Sequence, residues 1–179
     1  MEGAVLFLAH GASGGAATMR PHVEGLRARG VEAEAVQLPK GKAARAVPAY
    51  RAAVPAELGA IVGGHSYGGR VASLLVADEP GYAGLVLLSY PLHAPGRPEA
   101  WRDRTSHWQR IGCPVLLLSG DRDPFARIEL LREAVEQLPH HELVVYAGLR
   151  HGIGPRLDDA LDRIAVFARS LAETVHSGE

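Results

Sequence analysis

The chain has 179 residues, of which 47% are hydrophobic, and a formal net charge of −1 at pH 7. This length predicts one domain over residues 1–179, and the apolar content is large enough for a buried core. The near-neutral charge, without a block of like-charged residues, argues against a nucleic-acid partner.

Short apolar runs alternate with helix-patterned stretches along the chain. Runs such as Leu85–Leu88 and Val115–Leu118 lack polar alternation, which is typical of strands buried on both faces of a parallel sheet. This alternation of strands and helices predicts a three-layer α/β/α sandwich around a mainly parallel sheet of about six strands. In chain order, the predicted elements are strand Ala4–Ala9, helix Thr18–Arg29, strand Val31–Gln37, helix Arg45–Glu57, strand Ala60–Gly63, helix Gly68–Asp78, strand Gly84–Ser89, strand Pro114–Ser119, helix Phe125–Gln137, strand Glu142–Tyr146 and helix Arg156–Glu173.

The segment Tyr90–Arg110 breaks this rhythm, since it has no clear period and contains several prolines. One interpretation is a wandering connection with a single short helix near Trp101–Gln109. The other is a wall of a ligand pocket, because the segment leaves the carboxyl end of a central strand, where open α/β sheets bind ligands. The sequence leaves both interpretations open.

Two features bear on where the protein works. The apolar run Ala4–Ala9 follows no basic stretch and is too short for a signal peptide or a membrane span. The single cysteine, Cys113, excludes an internal disulfide, fits a reducing compartment and is expected to serve as a small buried side chain. We therefore expect a cytoplasmic protein without a membrane partner.

The most informative motif is Gly64-His65-Ser66-Tyr67-Gly68, which lies between an apolar run and a helix-patterned stretch. Gly-x-Ser-x-Gly in this position is typical of a nucleophile elbow, a tight strand-to-helix turn that presents a serine hydroxyl above the sheet. The glycines fit because a side chain at either position would crowd the neighbouring backbone. Ser66 is therefore the candidate nucleophile, and we expect the His65 side chain to point away from the reacting face.

A serine nucleophile needs a base, and the base needs a group that orients it. Asp121 and Asp123 follow the fifth predicted strand, and His151 follows the sixth. Because the carboxyl ends of parallel strands meet at one edge of a sheet, these side chains should lie close to Ser66. Position alone leaves the choice of acid open, since Asp121 could brace a turn and Asp123 could cap the following helix.

The loop after the first predicted strand, His10–Gly15, is rich in glycine. The backbone N–H of Ala12 in this loop and that of Tyr67 are two donors that could point at one developing oxyanion. A phosphate-binding loop is the alternative, but Gly-x-Gly-x-x-Gly and a Gly-Lys-Ser/Thr ending are both missing here. Histidines and carboxylates also lack the spacing of metal ligands, so we expect neither a cofactor nor a metal.

Four sequence blocks resemble the α/β-hydrolase superfamily. They are Leu8-Ala9-His10-Gly11-Ala12, Gly64-His65-Ser66-Tyr67-Gly68-Gly69-Arg70, Tyr90-Pro91-Leu92-His93 and Gly120-Asp121-Arg122-Asp123-Pro124-Phe125. Within the superfamily they resemble a small, cap-less, dienelactone-hydrolase-like branch, which includes the testis-expressed hydrolase-like proteins and a subunit of a chromatin acetyltransferase complex.

The resemblance covers essentially the whole chain and implies the minimal α/β-hydrolase fold with a triad of Ser66, Asp123 and His151. The family's Gly-x-x-Asp pattern selects Asp123 rather than Asp121 as the acid. The resemblance also implies an oxyanion hole made by Ala12 and Tyr67. It further implies that His93 lies beside the pocket and binds substrate.

Two departures from the superfamily pattern suggest an open, shallow pocket. The sequence begins at what would be the third strand of the superfamily, and only the segment Tyr90–Arg110 is available to cover the site. The resemblance implies a serine hydrolase that cleaves small carboxylic esters or thioesters through an acyl-enzyme at Ser66, so the expected partner is a small acyl ester. A non-catalytic binding or scaffold protein on the same fold is the alternative, and peptidase or acyltransferase activity with the same residues is a third option.

Overall fold

The computed structural model describes residues 4–176, with side chains for residues 4–173, so residues 1–3 and 177–179 of the predicted domain lie outside the described part. Six strands form one sheet in the order β2-β1-β3-β4-β5-β6, and neighbouring strands are parallel throughout. The strands are β1 (Leu6–Ala9), β2 (Ala33–Val36), β3 (Ile61–His65), β4 (Gly84–Leu88), β5 (Val115–Gly120) and β6 (His141–Tyr146).

Parallel neighbours need crossover connections, and helices supply them on both faces of the sheet. The helices are α1 (Arg20–Arg27), α2 (Ala43–Ala53), α3 (Tyr67–Asp78), α4 (Trp101–Thr105), α5 (Ile128–Ala134) and α6 (Leu157–His176). Apolar side chains of α2, α3, α4 and α5 pack on one face, and those of α1 and α6 pack on the other. This arrangement confirms the predicted three-layer α/β/α sandwich.

The lack of polar alternation in the central strands follows from this layering. Along β4, Leu85 and Leu87 belong to the apolar cluster under α3, whereas Val86 and Leu88 belong to the cluster under α6. Because successive side chains of a strand point to opposite faces, both faces of β4 are buried.

All six predicted strands are present, and the differences between their predicted and observed bounds lie at the strand ends. Val31 was expected to begin a strand, but its N–H donates to the carbonyl of Leu26 at the end of α1. Its burial therefore comes from the turn before β2 rather than from the sheet. In the other direction, β3 extends past Gly63 to His65, which pairs with Leu88 of β4.

The segment between β4 and β5 contains one short helix, α4, as the first of its two interpretations predicted, together with 3₁₀ turns at Pro98–Ala100 and Trp108–Arg110. Trp101 and Trp108 are buried, and the ring of Trp108 lies 4.9 Å from that of Tyr90. The segment is thus anchored to the core by aromatic side chains while its backbone follows the sheet edge.

A tyrosine hydroxyl from α2 reaches into the sheet. Tyr50 is fully buried, and its hydroxyl lies 2.9 Å from the carbonyl oxygen of Phe7 and 2.8 Å from that of Gly63. The N–H of Gly63 also donates to this hydroxyl at 3.1 Å. Burial raises the pKa of Tyr50 well above its usual range, so the hydroxyl keeps its proton and remains a donor.

Removing this hydroxyl should destabilise the fold. In Tyr50→Phe, the buried polar groups of Gly63 and Phe7 lose a partner that water does not replace, so the free energy of unfolding should fall by about 1–3 kcal/mol. Urea denaturation measures the change. Tyr146→Phe is the matched control, because its hydroxyl bonds to the partly exposed carboxylate of Asp159 and its loss should cost less.

Candidate active site

Ser66 lies in a strained turn between β3 and α3. Its φ of 50° and ψ of −114° are rare for a residue with a side chain, and such strain often occurs at functional sites. A Cβ at Gly64 would lie 2.6 Å from the carbonyl oxygen of Ala9, and one at Gly68 would lie 2.5 Å from the same atom. Both positions therefore require glycine, which allows the end of β1 to touch the turn.

The structure brings Ser66, His151 and Asp123 into one hydrogen-bonded line. The Ser66 Oγ lies 2.9 Å from Nε2 of His151, and Nδ1 of His151 lies 2.8 Å from Oδ2 of Asp123. A carboxylate only accepts, so the Nδ1–H donates to Asp123, and Nε2 is left to accept the proton of the Ser66 hydroxyl. The Asp123 side chain is fully buried, whereas that of His151 is 22% exposed and accessible to a ligand.

The two aspartates left open by the sequence have different partners. Asp123 uses its second oxygen, Oδ1, to accept the N–H of Phe125 at 2.8 Å, so it both orients His151 and caps its own loop. Asp121 is exposed and accepts the N–H of Gly148 at 2.7 Å, which braces the turn after β6. The structure therefore places Asp123, and not Asp121, against the histidine.

Two backbone N–H groups, those of Ala12 and Tyr67, are the predicted oxyanion donors. Tyr67 is the first residue of α3, and Ala12 lies in the exposed loop after β1. Among the described residues, neither N–H donates a backbone hydrogen bond. The N-terminus of α3 adds the positive end of its helix dipole at this point, which favours an anion.

Side chains at the ends of β1 and β2 hold the loop that carries Ala12. Nδ1 of His10 donates to the carbonyl oxygen of Gly11 at 2.7 Å, which leaves Nε2 to accept the N–H of Leu38 at 3.0 Å. Gln37 accepts the N–H of Ala16 at 2.8 Å. The loop is therefore fixed before any ligand arrives.

Comparison with known proteins agrees with the observed fold. The family described as an alpha/beta hydrolase domain matches residues 29–176. The chain belongs to the α/β-hydrolase family. The monoacylglycerol lipase of Paleococcus ferrophilus is 18% identical, over 93% of this chain and 94% of that chain, with a TM-score of 0.80. Est1E of Butyrivibrio proteoclasticus, solved with ferulic acid bound, is 18% identical, over 94% of this chain and 89% of that chain, with a TM-score of 0.77.

The loop of this α/β-hydrolase domain that carries His151 is held by Ser89, a residue that the sequence analysis missed. Ser89 follows β4 with a φ of 50°, and its buried hydroxyl accepts the N–H of Gly152 at 3.1 Å. The ring of Phe125 also lies 4.5 Å from that of His151. The sequence offered one signal for Ser89, namely a serine directly after a wholly apolar strand.

His93 is buried beside the site, and both of its ring nitrogens face the backbone. Nδ1 lies 2.9 Å from the carbonyl oxygen of Ala94, and Nε2 accepts the N–H of Arg127 at 3.0 Å. The N–H of His93 also donates to the carbonyl of Phe125. His93 thus ties the segment after β4 to the loop that carries Asp123. Its binding of substrate stays a prediction.

The expectation for His65 was wrong. Its ring lies 5.4 Å from that of His151 rather than pointing away from the reacting face. Side chains of a strand alternate, and Ile61, which shares the phase of His65, packs in the cluster under α1 and α6. Burial lowers the pKa of His65 to about 4, and the neighbouring His151 and His22 rings contribute to this shift. His65 is therefore neutral near pH 7.

A groove of about 470 Å³ lies away from this site, where α3 ends and β5 begins. It is lined in part by Glu79, Tyr82, Arg110 and Cys113. Burial raises the pKa of the Cys113 thiol to about 11, so this cysteine is protonated near neutral pH and is a weak nucleophile. Within residues 4–176, no helix is long and apolar enough to cross a membrane, and no cluster of three or more metal-binding side chains occurs.

Stability should decrease in mild acid because of two histidines. Burial lowers the pKa of His65 and of His107 from 6.5 to about 4, so the unfolded chain binds protons that the folded state excludes. The contribution of these two rings to the free energy of unfolding is present above pH 6.5 and is lost as the pH falls through about 4. We expect a loss on the order of 2 kcal/mol for each ring, measured by urea denaturation at about pH 7.5 and about pH 4.5.

His107→Gln isolates one of these contributions, since the amide can still bond to the Ser73 hydroxyl that faces the imidazole. The variant should lose less stability than the wild type between the two pH values. An identical loss in both proteins would contradict the assignment.

Proposed function

We propose that this protein is a serine hydrolase that cleaves small carboxylic esters or thioesters through an acyl-enzyme at Ser66. The observation that carries the proposal is the hydrogen-bonded line from the Ser66 hydroxyl through His151 to the buried carboxylate of Asp123. Nucleophile, base and orienting acid in this order are the groups that acyl transfer needs. The elbow strain at Ser66 is consistent with the same role.

In the first step, the Ser66 oxygen attacks the acyl carbonyl carbon while its proton moves to Nε2 of His151. The carbonyl π electrons move to oxygen, and the resulting oxyanion accepts the N–H groups of Ala12 and Tyr67. Asp123 keeps the proton on Nδ1 and stabilises the positive charge that forms on the imidazole ring.

In the second step, the oxyanion re-forms the carbonyl and the bond to the leaving alcohol or thiol breaks. His151 gives its proton from Nε2 to the leaving group, and the acyl group remains on Ser66 as an ester. Water then attacks the acyl carbon and gives a proton to the same nitrogen. The bond between the acyl carbon and the Ser66 oxygen breaks, His151 returns the proton to that oxygen, and the carboxylic acid leaves.

Small substrates fit the surroundings of Ser66. The segment between β4 and β5 contributes one short helix and two 3₁₀ turns rather than a separate cap domain, which supports an open site. The unpaired Cys113 fits the reducing conditions of the cytoplasm, where we place the reaction. We further place the chain in the small, cap-less branch that its Tyr90–His93 and Gly120–Phe125 blocks resemble.

Replacing the nucleophile tests the proposal directly. A fluorophosphonate probe should label the wild type at Ser66, and Ser66→Ala should abolish labelling and reduce hydrolysis of para-nitrophenyl acetate by roughly 10³-fold or more. Ser106→Ala removes an exposed hydroxyl from the segment after β4 and should leave both signals intact. A folded wild type that neither reacts nor hydrolyses esters would favour a binding protein on the same fold.

The two aspartates of one loop provide a matched pair. Asp123→Asn keeps the shape of the side chain but favours the wrong histidine tautomer, so kcat should fall by roughly 10³–10⁴-fold. Asp121→Asn should retain nearly all of the activity, because Asp121 braces Gly148 rather than His151. Equal losses in the two variants would rule out the assigned role of Asp123.

A further inference from the structure

Four arginine side chains of the described residues are half-buried, namely Arg29, Arg51, Arg70 and Arg104. Arg29 and Arg51 are each paired with a carboxylate, at 2.7 Å and 2.6 Å. Arg70 and Arg104 form no ion pair with any described carboxylate. These two cations have lost part of their hydration without gaining an anionic partner, which is an unfavourable arrangement in the free protein.

Arg70 lies one helical turn after the candidate nucleophile. Its N–H donates to the carbonyl oxygen of Ser66 at 3.0 Å. Side chains of a helix lean toward its N-terminus, and the N-terminus of α3 is the turn that carries Ser66. Its Nε is buried and has no hydrogen-bond partner among the described residues. An acceptor is therefore missing at this side chain.

Arg104 approaches the same edge of the sheet from α4. Its Nη1 donates to the carbonyl oxygen of Pro91 at 3.0 Å, and Pro91 follows closely after β4, the strand next to that of Ser66. The hydroxyl of Tyr90 donates to the carbonyl oxygen of Arg104 at 2.6 Å. These bonds hold Arg104 in place but use only part of the donor capacity of its guanidinium group.

Hydrogen bonds join α3 next to Arg70 with the segment that carries Arg104. The Ser73 hydroxyl donates to the carbonyl oxygen of Arg70 at 2.8 Å and lies 2.8 Å from Nε2 of His107, which follows Arg104 closely in the chain. Burial lowers the pKa of Arg104, and the positive charge of Arg70 lowers it further. Tyr90 interacts with both cations, and burial raises the pKa of its hydroxyl, so it stays neutral and does not compensate them. An anion between the two side chains would remove the repulsion and supply the missing acceptors.

We propose that Arg70 and Arg104 form a subsite for an oxyanionic group of the substrate, a carboxylate or a phosphate. Planar guanidinium groups bind the paired oxygens of both anions through parallel hydrogen bonds. The proposal rests on the function proposed for Ser66 and narrows its substrates to esters that carry a negative charge. Because Arg70 follows Ser66 by about one helical turn, roughly 5 Å along α3, the proposal puts this charge on a short acyl chain.

A pair of esters with matched chain length tests the subsite by kinetics. The wild type should have a kcat/KM for mono-para-nitrophenyl glutarate at least about tenfold above that for para-nitrophenyl butyrate. Arg70→Gln should remove most of this preference, and Arg70→Lys should retain part of it because the charge remains. Arg102→Gln removes an exposed cation of the same helix as Arg104 and should leave the preference unchanged.

Binding without chemistry provides a second readout. Glutarate or inorganic phosphate should raise the melting temperature of Ser66→Ala above that in sodium chloride of equal ionic strength. The double variant Ser66→Ala/Arg70→Gln should lose this increase. Stabilisation by glutarate alone identifies a carboxylate, and stabilisation by phosphate alone identifies a phosphorylated substrate.

The outcomes separate the two proposals. Equal rates for both esters, together with no anion-induced stabilisation, would overturn the subsite while the hydrolase proposal stands. Anion-induced stabilisation that depends on Arg70, in a protein that cleaves neither ester, would support the subsite and overturn the hydrolase proposal. If Arg70→Gln does not fold, Arg104→Gln replaces it in both measurements.

Discussion

The contact between the end of β1 and the turn before α3 is the constraint on which the site depends. Gly64 and Gly68 let backbone meet backbone at the carbonyl of Ala9, with no side chain between them. This close approach holds Ser66 in its strained conformation and keeps the first N–H of α3 next to the loop that carries Ala12. A methyl group at either glycine would meet this carbonyl at closer than van der Waals distance, so the end of β1 and the turn would have to move apart.

Around this contact, neighbouring loops hold one another through side chains that need not touch a substrate. Ser89 holds the loop of His151, and His93 holds the loop of Asp123, so the segment after β4 positions both partners of the serine. Asp123 is itself bonded at both oxygens, which leaves its carboxylate little freedom to rotate. Because folding already orders these loops and side chains, their loss of conformational entropy would not add to the barrier of the proposed reaction.

Much of this arrangement was readable from the sequence, because its signals are local. Apolar runs marked the buried strands, and the elbow motif marked Ser66. The choice between Asp121 and Asp123 was not readable from position, since both follow β5 and only the path of the loop decides which carboxylate reaches His151. The direction of the His65 side chain was predicted wrongly because Gly63 and Gly64 carry no side chains that would show which residues of β3 point to which face. The subsite proposed for Arg70 and Arg104 depends on how the segment after β4 packs beside α3, which no local pattern records.

The parallel sheet has one further consequence, which concerns how such a protein changes over generations. Every group assigned to the reaction lies at or after the carboxyl end of a strand, while the amino ends and the strands themselves only build the core. Within the segment between β4 and β5, Ser89 and His93 hold the loops of His151 and Asp123, and Trp101 and Trp108 belong to the core. Its exposed positions, such as Arg102 and Ser106, carry neither task. Selection can therefore vary this segment at its surface while its buried residues are conserved.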